Sequence, residues 1–130
     1  SYLCGMVKDF IQYTEALELK QLGFDEPCFA FYDESLYFPN NENQYGTFCN
    51  QPLDAPSCSA PLYQQTFRWF REKHNLKSCI MFRTSMEDNK EYYDWLIKGQ
   101  EVVYRHFNTY EEAELTCLKK LIEIVKGGDK

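Results

Sequence analysis

A chain of 130 residues and 15.5 kDa is sized for one domain rather than two. With 44% hydrophobic and 26% charged residues it can bury a core, which excludes wholesale disorder. Its net charge of −6 argues against general nucleic-acid binding, which needs a positive surface, and no apolar run approaches the ~18 residues of a membrane span.

In chain order, residues 1–12 read as a flexible extension, with Met6 as an alternative start and Ser1 to Gly5 as a remnant. No basic-then-apolar leader precedes the first element. Thr14 looks like an N-cap, with Glu15 and Glu18 in the first turn, where the helix dipole favours acids. Ala16, Leu17, Leu19 and Leu22 supply an apolar stripe. Gly23 is placed to stop the helix, and Phe24 folds back onto Leu19 in a Schellman-type ending. A first helix is therefore predicted over about 14–22. Residues 28–32 and 36–38 read as two strands of a hairpin, because only about three residues separate them. Residues 39–60 are rich in Pro and Asn and read as one long loop.

Pro61 suits a first helical turn, and a second helix is predicted over 60–75. Tyr63, Phe67, Phe70 and His74 share its apolar face, Trp69 and Leu62 lie at the edge of that face, and Gln64, Arg68, Arg71 and Asn75 lie opposite. Three strands follow, at 79–82, 91–97 and 101–107, as an antiparallel meander. Thr109-Tyr-Glu-Glu112 matches a capping box and opens a last helix over 109–126. Leu115, Leu118, Leu121, Ile122 and Val125 form its buried face, and Gly127-Gly128 ends it. The reading is a single α+β domain over 1–130. It has one antiparallel sheet of about five strands and three helices, in the order α-ββ-α-βββ-α. The core centres on Phe67 and Phe70 packed with Leu118, Leu121 and Ile122. The 17% aromatic content favours such a ring-built core.

The six cysteines, Cys4, Cys28, Cys49, Cys58, Cys79 and Cys117, include no C-x-x-C pair. Cys28, Cys79 and Cys117 sit in apolar runs and read as reduced core thiols. Cys49 and Cys58, both in the long loop, are the pair open to another reading, a cysteine hydrolase. His74 and His106 are the only histidines. They are far apart in sequence and read as boundary histidines rather than metal ligands or bases. No nucleophile elbow, phosphate loop or metalloprotease motif occurs, so no catalytic residue, metal or cofactor is expected.

Charge is segregated. Residues 1–60 carry two basic and nine acidic groups, whereas 61–83 carry five basic groups against Glu72 alone. Arg68 and Arg71, three residues apart on a helix, form a fork for a carboxylate or phosphate. With Gln64 they are the candidate binding residues. Solvated charges, the protein's own acidic segments (25–34 or 42–54), an acidic partner and a ligand phosphate all remain open for them.

Three segments carry a resemblance. They are Ala16-Leu-Glu-Leu-Lys-Gln-Leu-Gly-Phe-Asp-Glu-Pro-Cys-Phe29, Ala60-Pro-Leu-Tyr-Gln-Gln-Thr-Phe-Arg-Trp-Phe-Arg-Glu-Lys-His74 and the helix Thr109 to Lys126. Together they resemble uncharacterised small proteins encoded by bacteriophages and prophages of gut anaerobic bacteria. The likeness covers most of the chain after Met6 and is weakest over 39–59. It implies a cytoplasmic setting inside a host cell and names no activity. The expected function is a small acidic, non-enzymatic interaction or inhibitor protein of a phage or mobile element, acting on a protein partner. The alternative is a small-ligand or nucleotide-binding module with an aromatic pocket and Arg68 or Arg71 at its mouth.

Overall fold

The computed structural model describes residues 8–37, 50 and 56–127. The described residues form α1 (Tyr13–Gln21), β1 (Ala30–Asp33), β2 (Ser35–Tyr37), β3 (Cys58–Ala60), α2 (Tyr63–His74), β4 (Ser78–Thr84), β5 (Glu91–Ile97) and α3 (Tyr110–Lys126). The class is α+β, with three helices and two small antiparallel sheets, β2-β1-β3 and β4-β5. The chain divides into two compact units, Ser1–Thr66 and Phe67–Lys130, with the division inside α2.

In the first unit the chain is docked before α1 begins. Phe10 and Ile11 are buried, Phe10 bridges Leu62, and Ile11 N–H donates to the Pro61 carbonyl at 3.0 Å. Within the expected extension over 1–12, Phe10 and Ile11 are therefore docked; Ser1 to Gly5 and Met6 lie outside the described residues. Helix α1 starts one residue earlier than predicted. Its N-cap is Gln12, which makes no side-chain cap, so Thr14 falls inside the first turn. The helix ends as expected. Gly23 sits at φ +99°, a left-handed position that glycine adopts without a Cβ clash. Gly23 N–H donates to Lys20 O and Phe24 N–H to Leu19 O, the two bonds of a Schellman ending.

The β1–β2 hairpin turns at Glu34, whose φ is +71°. Strand β1 also pairs with β3, with Ala30 opposite Ala60 and Tyr32 opposite Cys58. Phe10, Ala30 and Ala60 form a buried cluster, with Tyr32, Leu36 and Leu62 packed on it.

In the second unit β4 and β5 pair over seven residues, from Ser78 opposite Ile97 to Thr84 opposite Glu91. The turn between them closes through Ser85 N–H to Lys90 O at 2.8 Å. Helix α3 carries the predicted capping box: Glu112 N–H donates to Thr109 Oγ1 and Thr109 N–H to Glu112 Oε1. Its buried face is Ala113, Cys117, Leu118, Leu121 and Ile122, and it packs on both strands. Leu115 and Val125 are half-buried. Of the expected core rings Phe70 is fully buried, Phe67 only half-buried, and Trp69, placed at the edge by its spacing, is buried.

The expected single five-stranded sheet is replaced by the two separate sheets, and the element order becomes α-βββ-α-ββ-α. Two segments account for the change. The long loop contains β3, whose small residues lie directly against β1. Residues 101–107, read as a strand, make only one bridge, Phe107 to Tyr93. His106 stands at φ +59°, a left-handed conformation that breaks an extended run. The N–H groups of Arg105 and His106 go to a side chain instead of a neighbouring strand.

Candidate functional site

That side chain is Asp94. It lies in the middle of β5, is fully buried, and its Oδ1 accepts from Arg105 N–H and His106 N–H, both at 2.8 Å. Its Oδ2 has no hydrogen-bond partner among the described residues; His106 Nδ1 approaches it to 3.7 Å. Burying a carboxylate oxygen without a hydrogen bond is costly, and the His106 imidazole stands beside this one without bonding it. The His106 side chain is 53% exposed while that of Asp94 is 1% exposed. The result is a rigid buried anchor under a half-open imidazole in a strained backbone position, an arrangement common at functional sites.

His106 lines a cavity of about 470 Å³ together with Arg83, Thr84, Ser85, Met86, Glu87, Asp88 and Tyr92. The register of the hairpin brings them together, because Arg83 pairs with Tyr92 across the ladder and 85–90 form the turn beyond it. The Tyr92 ring lies 4.8 Å from the His106 ring, tilted by 51°. The Arg83 guanidinium lies 4.0 Å over the Tyr104 ring, a cation–π contact. Asp88 is already engaged. It accepts from Lys90 N–H at 3.1 Å and from Tyr92 OH at 3.1 Å. The Lys90 amide in particular holds the Asp88 carboxyl below its usual range, and the same carboxylate pushes the Tyr92 phenol up.

The expected binding residues are elsewhere. Gln64, Arg68 and Arg71 are all exposed on α2. Their neighbour Gln65 is the glutamine that reaches the acidic segment, donating to Pro27 O at 2.9 Å and to Glu26 Oε1 at 3.5 Å. Glu42 and Asp54, the acidic residues of the segment 42–54, lie outside the described residues.

The thiols also divide. Cys28 and Cys117 are buried thiols outside any disulfide, whereas Cys79, read as a core thiol, is exposed. Cys58 is not on a loop but buried on β3. Burial pushes its thiol up to about 11, with Lys20 partly countering, and pushes Cys117 up to about 12. A nucleophilic cysteine needs the opposite shift. Cys4 and Cys49 lie outside the described residues. Among the described residues no cluster of three or more His, Cys, Asp or Glu suits a metal ion, and no helix is long and apolar enough to cross a membrane.

The sequence spacing missed Asp94 and His106 as a pair, since they are brought together by a turn of the chain beyond Ile97. One signal was present: a carboxylate in mid-strand between Tyr93 and Trp95 has to be solvated or satisfied internally. No known protein family, curated protein or solved structure matches the chain.

Proposed function

We propose that the chain is a non-enzymatic recognition protein that binds, and thereby blocks, a protein partner. The observation that carries this reading is the set of large apolar side chains facing outward in the second unit. Met86 is 99% exposed and Phe82 63%, and Val102, Val103 and Tyr104 are also exposed. A contiguous apolar patch marks an interaction surface, and the contact of Arg83 with Tyr104 brings the 82–86 and 102–104 runs together. Gln64, Arg68 and Arg71 offer an exposed polar arc suited to an acidic surface on that partner. Action in the cytoplasm of a host cell, as part of a phage or mobile element, belongs to the same proposal and rests on the resemblance of the three segments.

The test is a matched capture from host lysate with the parent chain, a Phe82→Ser/Tyr104→Ser variant and an Arg68→Ala/Arg71→Ala variant, each checked for unchanged folding. A protein retained by the parent and lost with the Phe82/Tyr104 variant supports the reading. Identical retention by all three baits overturns the surface assignment. The second reading, a small-ligand or nucleotide-binding module, is supported by the cavity beside His106 rather than by Arg68 and Arg71.

A further inference from the structure

The cavity beside His106 has features that narrow its ligand, resting on the second reading above. Its volume lies within the ~300–1,000 Å³ usual for small-molecule sites. Among the described residues the Arg83 guanidinium makes no hydrogen bond or ion pair; its only recorded partner is the face of Tyr104. A guanidinium carries N–H donors in a planar fork that suits a carboxylate or two phosphate oxygens at once. His106 lines the same cavity with an imidazole. With both protons it donates to an anion, and with one on Nδ1 it accepts from a ligand hydroxyl.

The backbone of this corner is built in advance. Asp94 ties down the amides of residues 105 and 106, so this stretch of backbone needs no reordering when a ligand arrives. Tyr92 and Met86 supply flat and soft apolar surface beside the two bases. Glu87 and Asp88 line the same cavity, and they bear on charge. Asp88 is committed to Lys90 N–H and Tyr92 OH, but both carboxylates repel a multiply charged ligand.

We propose that this cavity binds a flat-ringed small molecule bearing a single oxyanion group, of the size of a nucleoside monophosphate. The oxyanion sits on Arg83, with His106 as its second contact, and the ring lies against Tyr92 and Met86. Asp94 is a positioning residue that touches no ligand.

The experiment is calorimetric titration of the intact chain, with amide NMR shifts read in parallel. The probes are adenosine 5′-monophosphate, adenosine, adenosine 5′-triphosphate and benzoate. The monophosphate is expected to bind and to move the resonances of Arg83, Tyr92 and His106. Adenosine should bind about tenfold or more weakly, because it lacks the charge-assisted bonds to Arg83. The triphosphate should bind more weakly than the monophosphate. Benzoate separates the sources of the oxyanion: its binding in place of the monophosphate assigns a carboxylate. Arg83→Gln should lose about tenfold or more in affinity with an unchanged melting temperature, since Arg83 is exposed. The milder His106→Gln should weaken binding without abolishing it. Adenosine binding as tightly as its monophosphate, or undiminished monophosphate binding by Arg83→Gln, overturns the oxyanion assignment while leaving a small-ligand module standing. Silence with all four probes overturns both.

Discussion

The two compact units face the same physical problem, a short antiparallel sheet covered by a helix, and hold it together with different chemistry. The first unit is stitched by buried polar side chains. Asn50 donates through Nδ2 to Phe24 O at 2.7 Å and accepts from Ser59 N–H at 2.7 Å, while its own N–H goes to Asp25 Oδ1 at 2.9 Å. Lys20, buried on α1, donates to Ser57 O at 2.7 Å, and Tyr32 OH donates to Ile11 O at 2.7 Å. The second unit relies on a longer helix with a wide apolar face, laid on a seven-pair ladder. Its one buried carboxylate among the described residues, Asp94, holds the amides of residues 105 and 106 instead. Three-residue strands bury little apolar area, so the first unit depends on bonds whose loss strands a partner, and the second on area.

Substitutions test that contrast. The largest effect is expected from Phe70→Ala in the second unit, because it removes a fully buried ring. Denaturant melts should show a loss of ~3–5 kcal/mol, and Phe67→Ala, at a half-buried position, clearly less. A Phe67→Ala loss as large as that of Phe70→Ala would contradict the burial seen on α2. Asn50→Ala comes next. It removes the buried hydrogen bonds to the Phe24 carbonyl and from the Ser59 amide, for ~2–4 kcal/mol. A loss below 1 kcal/mol, roughly that of an exposed hydrogen bond, would show that the first unit does not depend on its stitches.

Thr109→Ala should cost about 1 kcal/mol through the lost capping box, with rescue by Thr109→Ser. Its check is helicity and melting compared across the three chains. A smaller effect concerns pH. Burial lowers the His74 imidazole below its ordinary 6.5, so the folded chain takes up that proton less readily than the unfolded one. The contribution is favourable in full above 6.5 and is lost as pH falls through 6.5 toward the lowered value. Between pH 7.5 and pH 5 the parent should therefore lose more stability than His74→Gln, and equal losses would remove His74 as the cause. The smallest effect is expected for Arg68→Ala/Arg71→Ala, within ~0.5 kcal/mol of the parent. A larger loss that shrinks in high salt would mean that these arginines hold the protein's own acidic residues.

Legibility follows the range of the interactions. The Schellman ending at Leu19, Gly23 and Phe24 and the capping box at Thr109 and Glu112 span five and three residues, so their residue types declare them. The Thr14 reading failed at the same range because Gln12, one residue before the helix, takes the cap position without a side-chain bond. Strand β3 was hidden because Cys-Ser-Ala has no alternation to read, and its reason for being extended is Ala30 and Tyr32, nearly thirty residues away. Residues 101–107 showed alternation that tertiary structure overrode. Nothing near them in sequence announces that Asp94, eleven and twelve residues earlier, takes their amides.

By itself the sequence determined the α+β class, the three helices, the β1–β2 hairpin, the β4–β5 pairing and the local devices that end α1 and begin α3. These depend on side-chain period and on bonds that close within one turn of chain. Only the tertiary structure decided that the strands form two sheets, that Trp69 is buried and Phe67 only half so, and that Arg83, Tyr92 and His106 share a cavity over Asp94. The reason is the same in each case. Amides, rings and carboxylates distant in sequence compete for the same buried partners, and that competition is settled only when the chain has folded.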